Sequence, residues 1–313
     1  MVSPNNKKYR EEIKEEETLW NKTAQDELKK HPPNYAYYKE TLPYKIYRHK
    51  YVKDMLSNIK PGDNVLELGC YNGWFSLEMA RQGAFVDAHD LSSSAIKIAQ
   101  DYYSKCKRNG LKGTISYFVT DLNSPNFSDK LYEVVVIRNV LHHLMNLDSL
   151  FVKLKKVLKS GGKILIDDAL PCGKKEAFIS GVLLTLLPTD IPYTQKLQRI
   201  FKKGQILKRT QGLVDACGAS PFEGISGEES VEYINKYFRQ LSYKTFAAFV
   251  GTIAAHLKMT QSLKYFVLKI LNYLDIILIQ IGILRGTGYY LVSTNLLSPL
   301  RVYKRNLCFR FTD

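Results

Sequence analysis

Between residues 64 and 167, short apolar runs alternate with stretches of helical periodicity, and that alternation leaves the chain very few architectures. The pattern predicts strands over Asn64–Leu68, Phe85–His89, Ile115–Val119, Glu133–Ile137 and Lys163–Asp167. It predicts helices over Trp74–Gln82, Ser93–Asn109 and Leu147–Leu158, with a turn at Ser160-Gly161-Gly162 before the last strand. Strands separated by helices at this spacing join as a mostly parallel sheet with helices on both faces, an α/β fold. Val134-Val135-Val136-Ile137 and Ile164-Leu165-Ile166 are continuously apolar, as strands buried on both faces must be.

The flanks read differently. Lys7–Lys30 is rich in Glu and Lys and predicts an exposed helix, ended at His31-Pro32-Pro33 because proline cannot continue one. Tyr35–Ile59 predicts a second, tyrosine-rich helical region that stops at the turn signal Pro61-Gly62. After Pro171 the regularity is lost. Helical runs at Phe178–Leu187 and Glu228–Tyr237 bracket a basic stretch, Lys196–Arg209, and strands are expected at Tyr243–Val250 and Gly288–Asn295. The chain thus divides into a helical cap (1–60), the alternating core (61–172), a helical and basic insertion (173–220) and a C-terminal part completing the sheet (221–313).

Charge follows the same division. The net charge is +15, yet residues 61–190 hold 15 basic against 14 acidic residues, while 191–313 hold 17 against 7. Such an excess suits an anionic partner (lipid headgroups, a phosphorylated substrate or RNA) or serves only as a solubilising surface. The N-terminus is charged and lacks the apolar core of a signal peptide. Five scattered cysteines without CxxC spacing fit a reducing cytoplasm and offer no structural metal site.

The chemistry concentrates where the first strand meets the first core helix, Val65-Leu66-Glu67-Leu68-Gly69-Cys70-Tyr71-Asn72-Gly73-Trp74. Glycines four apart allow positive φ or close backbone approach. Asp90, followed by Leu91, ends the next strand, where a carboxylate can bind ribose hydroxyls. A dinucleotide site needs Gly-x-Gly-x-x-Gly to cradle a pyrophosphate. This turn lacks the third glycine and places the acid Glu67 beside it, which suits a cationic ligand better.

Residues 61–170 resemble the catalytic core of the class I S-adenosylmethionine-dependent methyltransferases. Glu67, Gly69 and Gly73 match that family's first motif, with Tyr71 standing where its middle glycine is usual. Asp90 matches the acid that holds both ribose hydroxyls. Asp121 and Leu122 match the segment after the third strand, whose acid meets the adenine amino group. Arg138-Asn139-Val140-Leu141-His142-His143-Leu144 resembles the segment that lines cofactor and acceptor, and Leu158–Lys163 the turn into the fifth strand. The resemblance implies a Rossmann-like seven-stranded sheet, parallel but for one strand, with N-terminal helices and a helical C-terminal insertion. It implies S-adenosylmethionine as cofactor, bound by Glu67, Gly69, Cys70, Tyr71, Asn72, Gly73, Asp90, Leu91, Asp121, Leu122, Arg138 and Asn139. The N-terminal helices and the Pro171–Ser220 insertion are expected over the cleft mouth.

His142 and His143 are the candidate general bases, because imidazole titrates near neutrality. The competing reading makes them packing residues beneath the cofactor. The acceptor expected is a hydroxyl on a small molecule, glycan or lipid-linked intermediate. The alternatives are an RNA methyltransferase, against which no Asn-Pro-Pro-Tyr motif follows the fourth strand, and a cofactor-binding assembly subunit without turnover. No metal is expected.

Leu263–Leu284 predicts a long amphipathic helix with Lys264, Lys269, Asn272, Asp275 and Gln280 on one arc. Its internal charges argue against a membrane span. The broad apolar face is expected against the sheet, against a second copy in a homo-oligomer, or on an anionic membrane surface as a peripheral attachment.

Overall fold

The computed structural model describes residues 7–31, 37–107, 110–196 and 227–296. Its strands are β1 (Asn64–Leu68), β2 (Phe85–Asp90), β3 (Thr114–Val119), β4 (Tyr132–Arg138), β5 (Leu158–Ala169), β6 (Arg239–Phe246) and β7 (Gly288–Thr294). They form one sheet in the order β3-β2-β1-β4-β5-β7-β6. Pairings from β3 through β5 are parallel, and β7 runs antiparallel to both its neighbours. This is the Rossmann-like sheet with one reversed strand that the family resemblance implies.

The helices are α1 (Lys7–Lys30), α2 (Tyr37–Glu40), α3 (His49–Ser57), α4 (Trp74–Gln82), α5 (Ser93–Lys107), α6 (Leu147–Val157), α7 (Lys174–Leu186), α8 (Gly227–Tyr237), α9 (Val250–His256) and α10 (Gln261–Gln280). A π-helical turn, Tyr44–Arg48, leads into α3, and a 3-10 turn, Leu141–His143, follows β4. The sheet is covered on both sides. Val134 and Val136 point into one core and Val135 and Ile137 into the other, the two-residue period of a strand. The first core also takes α3, α4, α7, α9 and α10, and the second takes α6 and α8.

Four expectations need correction. Ser160-Gly161-Gly162 is not a free turn but an irregular part of β5. Pairing steps from Tyr132↔Leu158 to Val134↔Lys163, and Gly161, at φ 75°, donates its N–H to Asn295 O at 2.7 Å. The strand expected at Tyr243–Val250 lies earlier and ends at Phe246. Beyond it Ala247 takes φ 57°, and the N–H groups of Ala248, Phe249 and Val250 donate to the Asp275 carboxylate at 3.0, 2.8 and 3.3 Å, which starts α9 instead. Helix α1 is more than an exposed helix, for Tyr9, Glu16 and Ala24 are buried against the core.

The fourth correction concerns α10. Its buried residues are Leu268, Leu271 and Asp275, and it ends at Gln280. The helix is buried through Leu268 and Leu271, with Tyr265, Val267, Leu278 and Ile279 packed against the same core. It takes Asp275 of the polar arc inward with them, while Leu263, Phe266, Ile270, Tyr273 and Leu274 stay exposed. Most of the basic stretch Lys196–Arg209 lies outside the described residues.

Candidate active site

The carboxyl ends of β1 to β4 converge on a cavity of about 310 Å³, where open α/β sheets bind ligands. Gly69 and Gly73 both have positive φ, 75° and 73°, which permits the sharp exit from β1 into α4. Their missing side chains serve packing. A Cβ on Gly69 would stand 2.9 Å from Val140 Cβ, and one on Gly73 would stand 2.7 Å from Ala99 Cβ. Tyr71, where the methyltransferase pattern has a glycine, adopts the left-handed conformation too, at φ 47°. An L-residue there costs roughly 1–2 kcal/mol. Its N–H donates to Asp90 Oδ2 at 2.8 Å, and its ring meets the edge of Trp20 at 6.0 Å.

Asp90 is held from its other side by Ser92 N–H, 2.9 Å from Oδ1. Burial pushes its carboxyl up, and these backbone donors oppose the rise. Glu67 is 1% exposed, accepts the Ser76 hydroxyl, and is pushed up to about 7 by burial, which Ser76 and the Arg138 charge only partly counter. Asp121 Oδ1 accepts Asn123 N–H at 2.9 Å, while its Oδ2 accepts the Tyr9 hydroxyl from α1.

Helix α1 lies across this mouth. Ile13, Glu16, Trp20 and Glu27 line the cavity, and Asn21 Oδ1 accepts Ser94 N–H at 2.9 Å and the Ser92 hydroxyl at 2.8 Å at the start of α5. Trp20 Nε1 donates to Glu16 Oε1 at 2.7 Å, and Glu16 stands 3.4 Å from His143 Nδ1. Burial, with His142 adjacent, pushes His143 down to about 4, so at neutral pH it faces Glu16 as a neutral imidazole. His142 Nδ1 lies 2.5 Å from Asp168 Oδ1 on β5. Asp168 also accepts the N–H groups of Leu141 at 2.7 Å and Val140 at 3.3 Å.

Glu67, Gly69, Cys70, Tyr71, Asn72, Asp90, Leu91, Asp121, Leu122, Arg138, Asn139 and His143 all line the cavity. Gly73 lies behind it, packed on Ala99, and His142 stands just outside, its ring 4.1 Å from that of His143. Sequence reasoning missed Ile13, Trp20, Tyr37, Tyr38 and Asn123 on the walls, and Asp168 behind His142. It missed as well a buried clamp in which Arg48 and Arg138 approach Asp167 Oδ2 at 3.3 and 3.5 Å. None of these belongs to a spaced motif.

The donor set fits a cation with a planar aromatic part. Glu16, Glu27, Glu67, Asp90 and Asp121 face the cavity against the single cation Arg138, between walls that include Trp20, Tyr38 and Trp74. Arg138 Nε is buried without a hydrogen-bond partner at that wall. Among the described residues no group of three or more His, Cys, Asp or Glu is placed to hold a metal.

The fold and this strand-end cavity define a Rossmann-like methyltransferase. The family model for the methyltransferase domain matches residues 38–203, more than half of the chain, and the chain belongs to that family. It is 34% identical over 112 residues to phosphoethanolamine N-methyltransferase 1 of Zea mays, a match over 36% of this chain and 21% of that protein. It is 32% identical over 120 residues to the ubiquinone biosynthesis O-methyltransferase of Rickettsia conorii, over 38% of this chain and 39% of that one. The matches thus span only about a fifth to two fifths of these relatives. A crystal structure of geranyl diphosphate C-methyltransferase from Streptomyces coelicolor, in complex with Mg2+, geranyl diphosphate and S-adenosyl-L-homocysteine, superposes with a TM-score of 0.50. At 11% identity over 80% of this chain and 78% of that one, it is a likeness of fold.

Proposed function

We propose that this chain transfers the methyl group of S-adenosylmethionine to a hydroxyl of a small-molecule, glycan or lipid-linked acceptor, with His142 receiving the acceptor's proton. The observation that carries the reading is the His142–Asp168 pair at the ends of β4 and β5, beside the acid-lined cavity. Asp168 is 3% exposed and already accepts backbone N–H groups, which fix the orientation of its carboxylate. That carboxylate holds the proton of His142 on Nδ1 and leaves Nε2 as the acceptor. The His142 side chain is 19% exposed, where an acceptor arriving from solvent meets it.

When bound, S-adenosylmethionine supplies a methyl group activated by its sulfonium. The chain's residues do the rest. Asp90 takes the ribose hydroxyls, Asp121 the adenine edge, and the surrounding carboxylates balance the positive charge. Helix α1 excludes water, and the geometry of the pair orients the acceptor for in-line attack.

An amine acceptor is the second reading, favoured by the similarity to phosphoethanolamine N-methyltransferases. An ammonium must also lose a proton before it attacks, so the same base serves. Transfer of tritiated methyl to hydroxyl and amine acceptor panels separates the two. His142→Asn is expected to lower turnover by about 10²–10⁴ with S-adenosylhomocysteine affinity unchanged. Full turnover in that variant overturns the role of His142. Tight S-adenosylhomocysteine binding without methylation of any acceptor in a cell extract would make the chain an assembly subunit.

A further inference from the structure

Helix α10 is apolar on both its inward and its outward side. Its rotation is set by Asp275, fully buried, whose carboxylate accepts the N–H groups of Ala248, Phe249 and Val250 at the start of α9. Burying an aspartate is costly unless its oxygens are satisfied, and these three donors satisfy them. With Leu268, Leu271 and Asp275 inward, the opposite arc of the helix at 100° per residue carries Phe266, Ile270, Tyr273 and Ile277 beside the polar Ser262, Lys269 and Gln280. Leu263 (49% exposed), Phe266 (61%), Ile270 (49%), Tyr273 (67%) and Leu274 (47%) stand in solvent, and Ile281 (62%) continues the stripe past the helix end.

A second stripe lies in the same helical layer. Helix α7 packs on α9 as α10 does, and exposes Phe178, Val182 and Leu186 at four-residue intervals. The charges of this layer are of one sign. Lys174, Lys175 and Lys269 are exposed and Lys264 is half-buried, whereas the layer's acids, Glu176 and Asp275, are both buried. Asp190, in the link after α7, is paired with Lys258 at 3.7 Å.

We propose that the α7–α9–α10 layer docks on an anionic lipid surface, with the outward stripe of α10 inserted among the acyl chains and the lysines on the headgroups. An apolar arc beside cations, with no exposed carboxylate on the three helices themselves, is the pattern of an interfacial surface, in which apolar burial and attraction to anionic lipid reinforce each other. Two copies joined through the same faces would set lysine against lysine, which disfavours a symmetric dimer as the occupant. Among the described residues no helix is long and apolar enough to cross a membrane, so the attachment is peripheral. The surface is separate from the cofactor cavity, and the inference does not rest on the acceptor assigned above.

The test is sedimentation of the full chain with vesicles of phosphatidylcholine alone or with one third phosphatidylglycerol, beside its molar mass in solution. Wild type is expected to sediment with the anionic vesicles and to be released by salt. Phe266→Asp and Leu263→Asp, each at an exposed position, are expected to lower partitioning at least tenfold without changing Tm or S-adenosylhomocysteine affinity. Lys264→Gln with Lys269→Gln is expected to lower it at low salt only. Wild type that stays in the supernatant at low salt overturns the proposal. So does undiminished sedimentation of both aspartate variants, or a wild-type dimer that those variants dissociate, which would assign the face to a second copy.

Discussion

The Tyr9 hydroxyl donates to the Asp121 carboxylate across 112 residues of sequence, joining the first helix to the end of the third strand at the edge of the cavity. Tyr9→Phe leaves one oxygen of a part-buried carboxylate without its donor. The expected loss is about 1–2 kcal/mol in the ligand-free protein, or roughly 2–8 °C in Tm. Asp121 is the residue expected to meet adenine, so S-adenosylhomocysteine restores a donor and its thermal shift is larger in the variant than in wild type. Differential scanning fluorimetry with and without that ligand reads both quantities. An equal shift in the two proteins would remove Asp121 from the adenine contact.

Asp90 accepts the N–H groups of Tyr71 and Ser92, one on each oxygen, and lines the cavity where the ribose hydroxyls are expected. Asp90→Ala is expected to weaken S-adenosylhomocysteine binding by about 1.5–3 kcal/mol, the range of hydrogen bonds to a charged group. Titration calorimetry on the folded variant measures it. Unchanged affinity would sink the assignment, and tight NADH binding by wild type would sink the cofactor class.

Glu67 is pushed up to about 7 from an ordinary 4.5 because its charge is buried. A carboxyl raised in the folded state holds its proton longer there than in the unfolded chain. Its contribution to stability is therefore complete below pH 4.5 and is lost as pH rises through 7, an effect of about 3 kcal/mol. Glu67→Gln is expected to abolish that loss, so the ligand-free variant exceeds wild type above pH 7 relative to their difference at pH 5. Urea unfolding between pH 5 and 9 tests it, and parallel wild-type and variant curves would refute it. A cationic ligand should favour ionised Glu67, so binding near pH 7 releases a proton, measurable by calorimetry in buffers of different ionisation enthalpy.

Asp275→Ala removes the acceptor for three backbone N–H groups at the start of α9. The expected cost is at least about 3 kcal/mol, because each buried donor left unpaired costs about 1–3 kcal/mol. Leu274→Glu, one residue away but 47% exposed, is expected to change stability by no more than about 0.5 kcal/mol. Urea unfolding of the pair decides the orientation of α10, and a large loss from Leu274→Glu would reverse it.

Much of the sheet and half of the cavity are legible in the sequence because their physics is local. Continuous apolar runs bounded by turn signals fit strands covered on both faces, so β4 and the apolar part of β5 are readable from Val134–Ile137 and Ile164–Ile166. Gly69, Gly73, Asp90 and Asp121 sit at strand ends whose positions follow from the alternation itself. What the tertiary structure decided are relations between distant segments. Helix α1 is so rich in Glu and Lys that it reads as a solvated surface, yet Tyr9, Glu16 and Asn21 find partners on the core that no periodicity records. His142 finds its partner in Asp168, a residue of the next strand. Helix α10 shows the limit most clearly. Its wheel places Asp275 on the polar arc, but one carboxylate satisfied by three distant N–H groups takes that residue into the core and leaves Phe266, Ile270 and Tyr273 in solvent. Amphipathic periodicity tells which residues share a face. Only the hydrogen bonds available across the fold decide where that face points.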